Sequence, residues 1–265
     1  MGMDARWQPV VQTTVDHLRI RVYKSRDAMG AAAAAEVVNK MKEVQARKGR
    51  VRMVFAAAPS QNELLMHLCR AEGVDWSCVE VFHMDEYIGL PEDSPQRFSY
   101  YLQEHLFRHV HPGQVQLIRP DGDPERECTR YAQLLSEAPI DIVCLGIGEN
   151  GHIAFNDPGV ADFNDPAVVK SVCLDEKCRQ QQVNDGCFPD LASVPQTALT
   201  LTVPALMSAD HLIGVVPGPT KREAVRRALT GPVSEDCPAS ILRRHQDGVL
   251  YLDTVAYGVS EYAGD

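Results

Sequence analysis

The chain has 265 residues, 45% of them hydrophobic, enough to bury one large α/β core, so a single domain over 1–265 is expected. Twenty-six basic residues stand against 36 acidic ones, a formal charge of −10 whose summed field repels nucleic acid and anionic membrane surfaces. No apolar run reaches roughly 18 residues, and the N-terminus, with Asp4, Arg6 and Gln8, carries no hydrophobic signal core, which points to the cytoplasm.

Residues 17–24 alternate as a strand does. Ser25 to about Lys48 is alanine-rich, with apolar residues at helical spacing and Gly49 as a stop. Val51 to Ala57 is a short apolar run, followed by a turn at Ala58-Pro59-Ser60 and a helical stretch from about Gln61 to Ala71. The pattern recurs at Val79 to His83, at Ile140 to Leu145 running into a glycine-rich turn, and at Leu212 to Val216 running into Pro217-Gly218. Strands that are apolar on both faces and alternate with helices predict a Rossmann-like α/β fold: an open, mostly parallel sheet with helices on both faces. Ligands of such sheets collect beyond the carboxyl ends of the strands, which singles out the segments 56–62, 83–90, 146–159 and 217–221. The stretch from about 160 to 195 is polar and is expected to form a mobile flap over the site.

Eight cysteines, at 69, 78, 128, 144, 173, 178, 187 and 237, include no Cys-x-x-Cys pair and no zinc-ligand spacing, so they are expected as free thiols. Cys69, Cys128 and Cys144 fall at apolar positions, as small buried hydrophobes do. A reactive or metal-binding cysteine would need a His or basic neighbour that spacing alone does not show.

Three segments carry residues suited to chemistry. His83-Met84-Asp85-Glu86-Tyr87 leaves a buried strand with two adjacent carboxylates, whose pKa values desolvation and mutual charge can separate, making one a base. The alternative is that one caps the following turn and the other faces solvent. Gly146-Ile147-Gly148-Glu149-Asn150-Gly151-His152 lets the backbone fold tightly around a ligand and presents His152 five residues before Asp157, a pairing suited to proton shuttling. A hydrogen-bonded structural role is the alternative for His152. Pro217-Gly218-Pro219-Thr220-Lys221 leads into a helix whose first amides and Lys221 favour an anion, although a solvated lysine in a first turn has the same spacing. The loop is too short for a nucleotide P-loop.

Taken together, Met84-Asp85-Glu86-Tyr87-Ile88-Gly89-Leu90, Gly151-His152-Ile153-Ala154-Phe155-Asn156-Asp157-Pro158-Gly159 and Ser234-Glu235-Asp236-Cys237-Pro238-Ala239-Ser240 resemble the glucosamine-6-phosphate deaminase/isomerase family. That family shares its fold with 6-phosphogluconolactonases and with the sugar-sensing domains of some repressors, and the resemblance runs from about residue 25 to 255. It implies that Asp85, beside Glu86, is the base that enolises the opened sugar and that His152 opens the ring. Asp157 stands where the family usually carries a glutamate tuning that histidine, and Asn150 where a neighbouring acid or asparagine does so. The expected substrate contacts are Ala58, Ser60, Gln61, Gly151, Lys221 and Arg179.

The implied reaction is deamination with aldose–ketose isomerisation of an amino sugar phosphate, glucosamine 6-phosphate plus water giving fructose 6-phosphate plus ammonia, or the same conversion of a related sugar. No metal or organic cofactor is required, the partner is a small sugar or sugar phosphate, and homo-oligomers are common in the family. The phosphate-binding half of the pattern departs from it. Ala57-Ala58-Pro59-Ser60-Gln61 replaces a loop with two glycines, and no arginine precedes Phe188-Pro189, Arg179 being the nearest counterpart. The far end of the substrate is therefore expected not to be held as a conventional 6-phosphate. A lactonase-type hydrolase would not need the Asp85-Glu86-Tyr87 string. A non-catalytic sugar sensor would normally carry a DNA-binding segment for which residues 1–24 are too few.

Overall fold

The computed structural model describes residues 7–259; Asp4 and Arg6, used above to argue against a signal core, lie outside the described residues. In chain order the elements begin with strands β1 (Val11–Val15) and β2 (Leu18–Tyr23), helix α1 (Arg26–Lys48), β3 (Val51–Phe55), α2 (Asn62–Cys69), β4 (Val79–His83) and β5 (Asp85–Tyr87). Helix α3 (Phe98–Leu102) continues through a π turn into α4 (Arg108–Val110), followed by β6 (Gln114–Gln116), α5 (Pro124–Ser136), β7 (Ile142–Leu145), β8 (Val169–Cys173) and α6 (Glu176–Asn184). The chain closes with β9 (Thr197–Leu201), α7 (Val203–Met207), β10 (His211–Val216), α8 (Arg222–Thr230), β11 (Gly248–Asp253) and α9 (Thr254–Tyr257).

Local chemistry accounts for the boundaries. The Ser25 hydroxyl accepts from the Ala28 amide to start α1, Asp27 sits in its first turn, and Gly49 ends it in the left-handed region at φ 73°. The strand expected to reach Ala57 stops at Phe55, and the helix expected from Gln61 begins at Asn62, because Pro59–Gln61 form a tight 3₁₀ turn between them.

Eight strands form one sheet in the order β1-β2-β11-β10-β7-β3-β4-β6. All its pairings are parallel except the edge pair β1–β2. The twofold alternation of the central strands fills two cores. Met53, Phe55, Ile142, Cys144, Ile213 and Val215 pack with α1 and α2 on one face. Val54, Val143, Leu145, Leu212 and Val216 pack with α5 and α8 on the other, which is why these strands read as largely apolar runs. From β3 the chain winds outward through β4 and β6, and from β7 it winds the opposite way through β10 and β11. The switch point therefore lies between β3 and β7, where a crevice opens.

A second sheet was not expected from the sequence. Strands β5, β9 and β8 form a three-stranded antiparallel unit, with Asp85 opposite Thr200 and Ser171 opposite Leu199. The 160–195 stretch, expected as a flap, thus contains a paired strand and helix α6. Among the described residues, no helix is long and apolar enough to cross a membrane.

Candidate active site

The loops after β3, β4, β7 and β10 converge on a single polar cleft. Asp85, His152, Ala58, Ser60, Gln61 and Lys221 all line it, so the carboxylate and the imidazole of two distant loops share one cavity.

Asp85 is 7% exposed, directly after β4 and at the start of β5. Desolvation first, and then the charge of Glu86, push its carboxyl well above the usual aspartate range. His83 fixes the backbone there. The Ile118 amide donates to its Nε2 at 2.8 Å, so Nδ1 carries the proton and donates to the Asp85 carbonyl at 2.9 Å. Burial holds this imidazole down at about 4, that is, neutral.

Glu86 does not reach the cleft, contrary to its expected place in the chemistry. Its carboxylate accepts from the amides of Tyr87, Phe98 and Ser99 and from the Ser99 hydroxyl, at 2.7–3.1 Å, and so caps the start of α3. Every lone pair it could offer a substrate is engaged.

His152 is 8% exposed and lies flat over Gly148. A Cβ at Gly148 would stand 2.1–2.4 Å from three ring atoms, so only glycine admits the imidazole. The ring Nδ1 lies 2.8 Å from Asn150 Oδ1 and 3.0 Å from Asp157 Oδ1, while Asn150 Nδ2 donates to Asp157 Oδ1 at 2.9 Å. Asp157, one methylene shorter than the family's glutamate, therefore does reach the ring. Burial opposes its ionisation, but the hydrogen bond and charge of His152, with Asn150 and the Asp175 amide, outweigh it and hold the carboxyl below the usual range. Neither Asn150 nor Asp157 lines the cleft; both orient His152 so that Nε2 is the ring nitrogen left without a protein partner among the described residues.

At the far wall, Lys221 is 4% exposed and forms no ion pair among the described residues. Desolvation lowers its pKa, an effect that the charges of Asp185 and Glu149 only partly offset. Gln61 is held by Nε2 donation to the Val215 carbonyl at 3.1 Å and to Ser60 Oγ at 3.0 Å, leaving its buried Oε1 without a donor.

Two expected contacts fall elsewhere. The Arg179 guanidinium donates to the carbonyls of Leu191 and Val194 and ties down the segment after α6 instead of facing the cleft. Gly151, at φ 95°, packs against Cys237, where a Cβ would stand 2.9 Å from the sulfur; it shapes the turn and does not line the cleft. Sequence reasoning missed Gln181 and Gln182 of α6. Both line the cleft, and Gln181 Oε1 accepts from the Glu149 amide at 2.8 Å. The polarity of 160–195 was visible, but nothing local showed which residues turn inward.

Fold and site define a class: an α/β enzyme with a polar cleft at the switch point of a parallel sheet, where a buried carboxylate faces a carboxylate-oriented imidazole. Residues 24–251 match the family model described as glucosamine-6-phosphate isomerases/6-phosphogluconolactonase, and the chain belongs to that family. Glucosamine-6-phosphate deaminase 1 of Bacillus subtilis (strain 168) is 37% identical over 196 residues, covering 72% of this chain and 79% of that protein. The glucosamine-6-phosphate deaminase of Bacillus cytotoxicus is 33% identical over 249 residues, covering 93% and 90%. Among solved structures, a monomeric glucosamine-6-phosphate deaminase superposes with a TM-score of 0.83 at 31% identity, over 91% of this chain and 99% of that one. A 6-phosphogluconolactonase from Trypanosoma brucei superposes with a TM-score of 0.76 at 17% identity, over 94% and 100%, a likeness of fold.

Proposed function

We propose that the chain deaminates and isomerises an amino sugar, of which glucosamine 6-phosphate is the reference substrate, with Asp85 and His152 as the proton carriers. One observation carries this: the two side chains face the same cleft, Asp85 with its carboxyl pushed up by burial beside Glu86 and His152 with its ring oriented by the Asp157 carboxylate. In the proposed sequence, His152 takes the O1 hydroxyl proton on Nε2 and passes it to the ring oxygen as the pyranose opens to its aldehyde. Asp85 then takes the C2 proton, a proton is delivered to C1, and the resulting C2 imine adds water to give the ketose and ammonia. Each proton carrier contributes roughly 10²–10⁴-fold in rate.

The family's names favour a phosphorylated substrate, and Lys221 supplies one buried cation for it. The arginine expected beside it is occupied elsewhere, and Ser60, Gln61 and Gln182 complete the wall with neutral groups. Losing a bidentate arginine removes several kcal/mol of anion binding. The far end of the best substrate is accordingly something other than a conventionally held 6-phosphate.

Ammonia release and ketose formation over a panel of phosphorylated, non-phosphorylated and carboxylated amino sugars test both parts. Activity on none of them ends the deaminase assignment. A kcat/KM on glucosamine 6-phosphate above that of every other sugar leaves the reaction standing and ends the argument about the far end.

A further inference from the structure

Helix α6 brings a third metal-ligating side chain to the His152–Asp157 pair. Cys178 is 1% exposed, and His152, Asp157 and Cys178 each place one potential ligand atom so that all three lie within 4.8 Å of one another. We propose that these three residues form a binding site for a thiophilic divalent cation, with zinc the best fit, and that its occupancy switches the cleft off.

The donor set makes the case. Imidazole nitrogen, carboxylate oxygen and thiolate sulfur together suit zinc and disfavour magnesium and calcium, which take oxygen alone. Bonds of about 2.0–2.3 Å in a tetrahedron put ligand atoms well within 4.8 Å of one another, so small side-chain shifts suffice. His152 Nδ1 and Asp157 Oδ1 are already 3.0 Å apart, and Asn150 Oδ1, 2.8 Å from the same nitrogen, is poised to take the fourth position or to hold a water there. Asp157 and a Cys178 thiolate would neutralise the dication, removing the cost of burying its charge. His152 lines the cleft and gives the ion a way in.

Protons balance as follows. Asp157 is already ionised, the Cys178 thiol, which burial and the Asp157 carboxylate hold well above the usual thiol range, loses its proton to solvent only as the sulfur–metal bond forms, and His152 keeps its single proton but moves it from Nδ1 to Nε2. With Nδ1 on the metal and Nε2 protonated, the ring has no basic nitrogen left. The ion therefore blocks the residue that proton transfer needs without occupying the far wall at Lys221.

Calorimetric titration of the full chain with zinc, and absorption spectroscopy with cobalt(II) as the reporter ion, test the site without any substrate. The wild type is expected to take up one equivalent and to show a thiolate-to-cobalt charge-transfer band that a chelator abolishes. In Cys178→Ser the band is lost, affinity falls by more than the ~10–100-fold typical of an outer-shell change, and basal turnover is retained while zinc no longer inhibits it. Should Cys178→Ser not fold, Cys178→Ala, which buries no hydroxyl, serves the same comparison. An undiminished band and affinity in these variants, which the other cysteines would produce, or no uptake by the wild type, overturns the proposal.

Discussion

Burial and the charge of Glu86 raise the Asp85 pKa, so the ionised form that proton abstraction needs is also the form the fold disfavours. Between the unfolded value, about 3.9, and the raised folded value, the native state binds more protons than the unfolded one, so stability falls as pH rises through that window. At neutral pH the penalty is present; below about pH 4, where the carboxyl is protonated in both states, it vanishes. Asp85→Asn is thus expected to lower kcat by about 10²–10⁴-fold while raising the thermal midpoint at pH 7, with the gain disappearing in acid. Paired kinetics and melting curves across pH check this, and a variant as active as wild type would remove Asp85 from the mechanism. Asp157 behaves in the opposite sense. Its lowered pKa contributes stability that is lost as pH falls through the folded value.

At the scale of elements, β3 does two separable jobs. Its carboxyl end releases the chain into the 56–61 wall of the cleft, while Arg52 inside the strand fastens it to α5. Arg52, 2% exposed, donates to Glu80 on the neighbouring strand at 2.7 Å and to the carbonyls of Leu134, Leu135 and Ala138 at the C-terminal end of α5. Arg52→Met leaves that helix end and Glu80 short of donors, and is expected to cost about 3–5 kcal/mol in denaturant unfolding with KM unchanged in the folded fraction. A loss below about 1 kcal/mol would show that the guanidinium is not the fastener.

The whole molecule couples its two sheets through the site. Asp85 opens β5, β5 pairs with β9, β9 pairs with β8, and β8 leads to α6, whose Gln181 holds the glycine turn through the Glu149 amide. The Thr200 hydroxyl also accepts from the Phe155 amide at 3.1 Å, joining the second sheet to the His152 loop. Hydrogen exchange is therefore expected to show substrate or product slowing the amides of α6 together with those of 146–152. Protection confined to the 56–61 and 146–152 loops would mean that α6 is a bystander and the wall of the cleft is one-sided.

How much was legible in the chain follows the range of the forces involved. The parallel sheet could be read because a strand covered on both faces is apolar nearly throughout, as Ile142–Leu145 is and as Val51–Phe55 is apart from Arg52. Asp85, His152, Asp157 and Lys221 could be read because each sits at a strand's carboxyl end or in a glycine-rich turn beside it. The division of labour between Asp85 and Glu86 could not, since it rests on which carboxylate meets the amides of Phe98 and Ser99, some twelve residues on. Nor could Cys178 be placed beside Asp157, nor Arg179 turned from the cleft. Those depend on the antiparallel pairing of β5, β9 and β8, a long-range contact with little local periodicity to announce it.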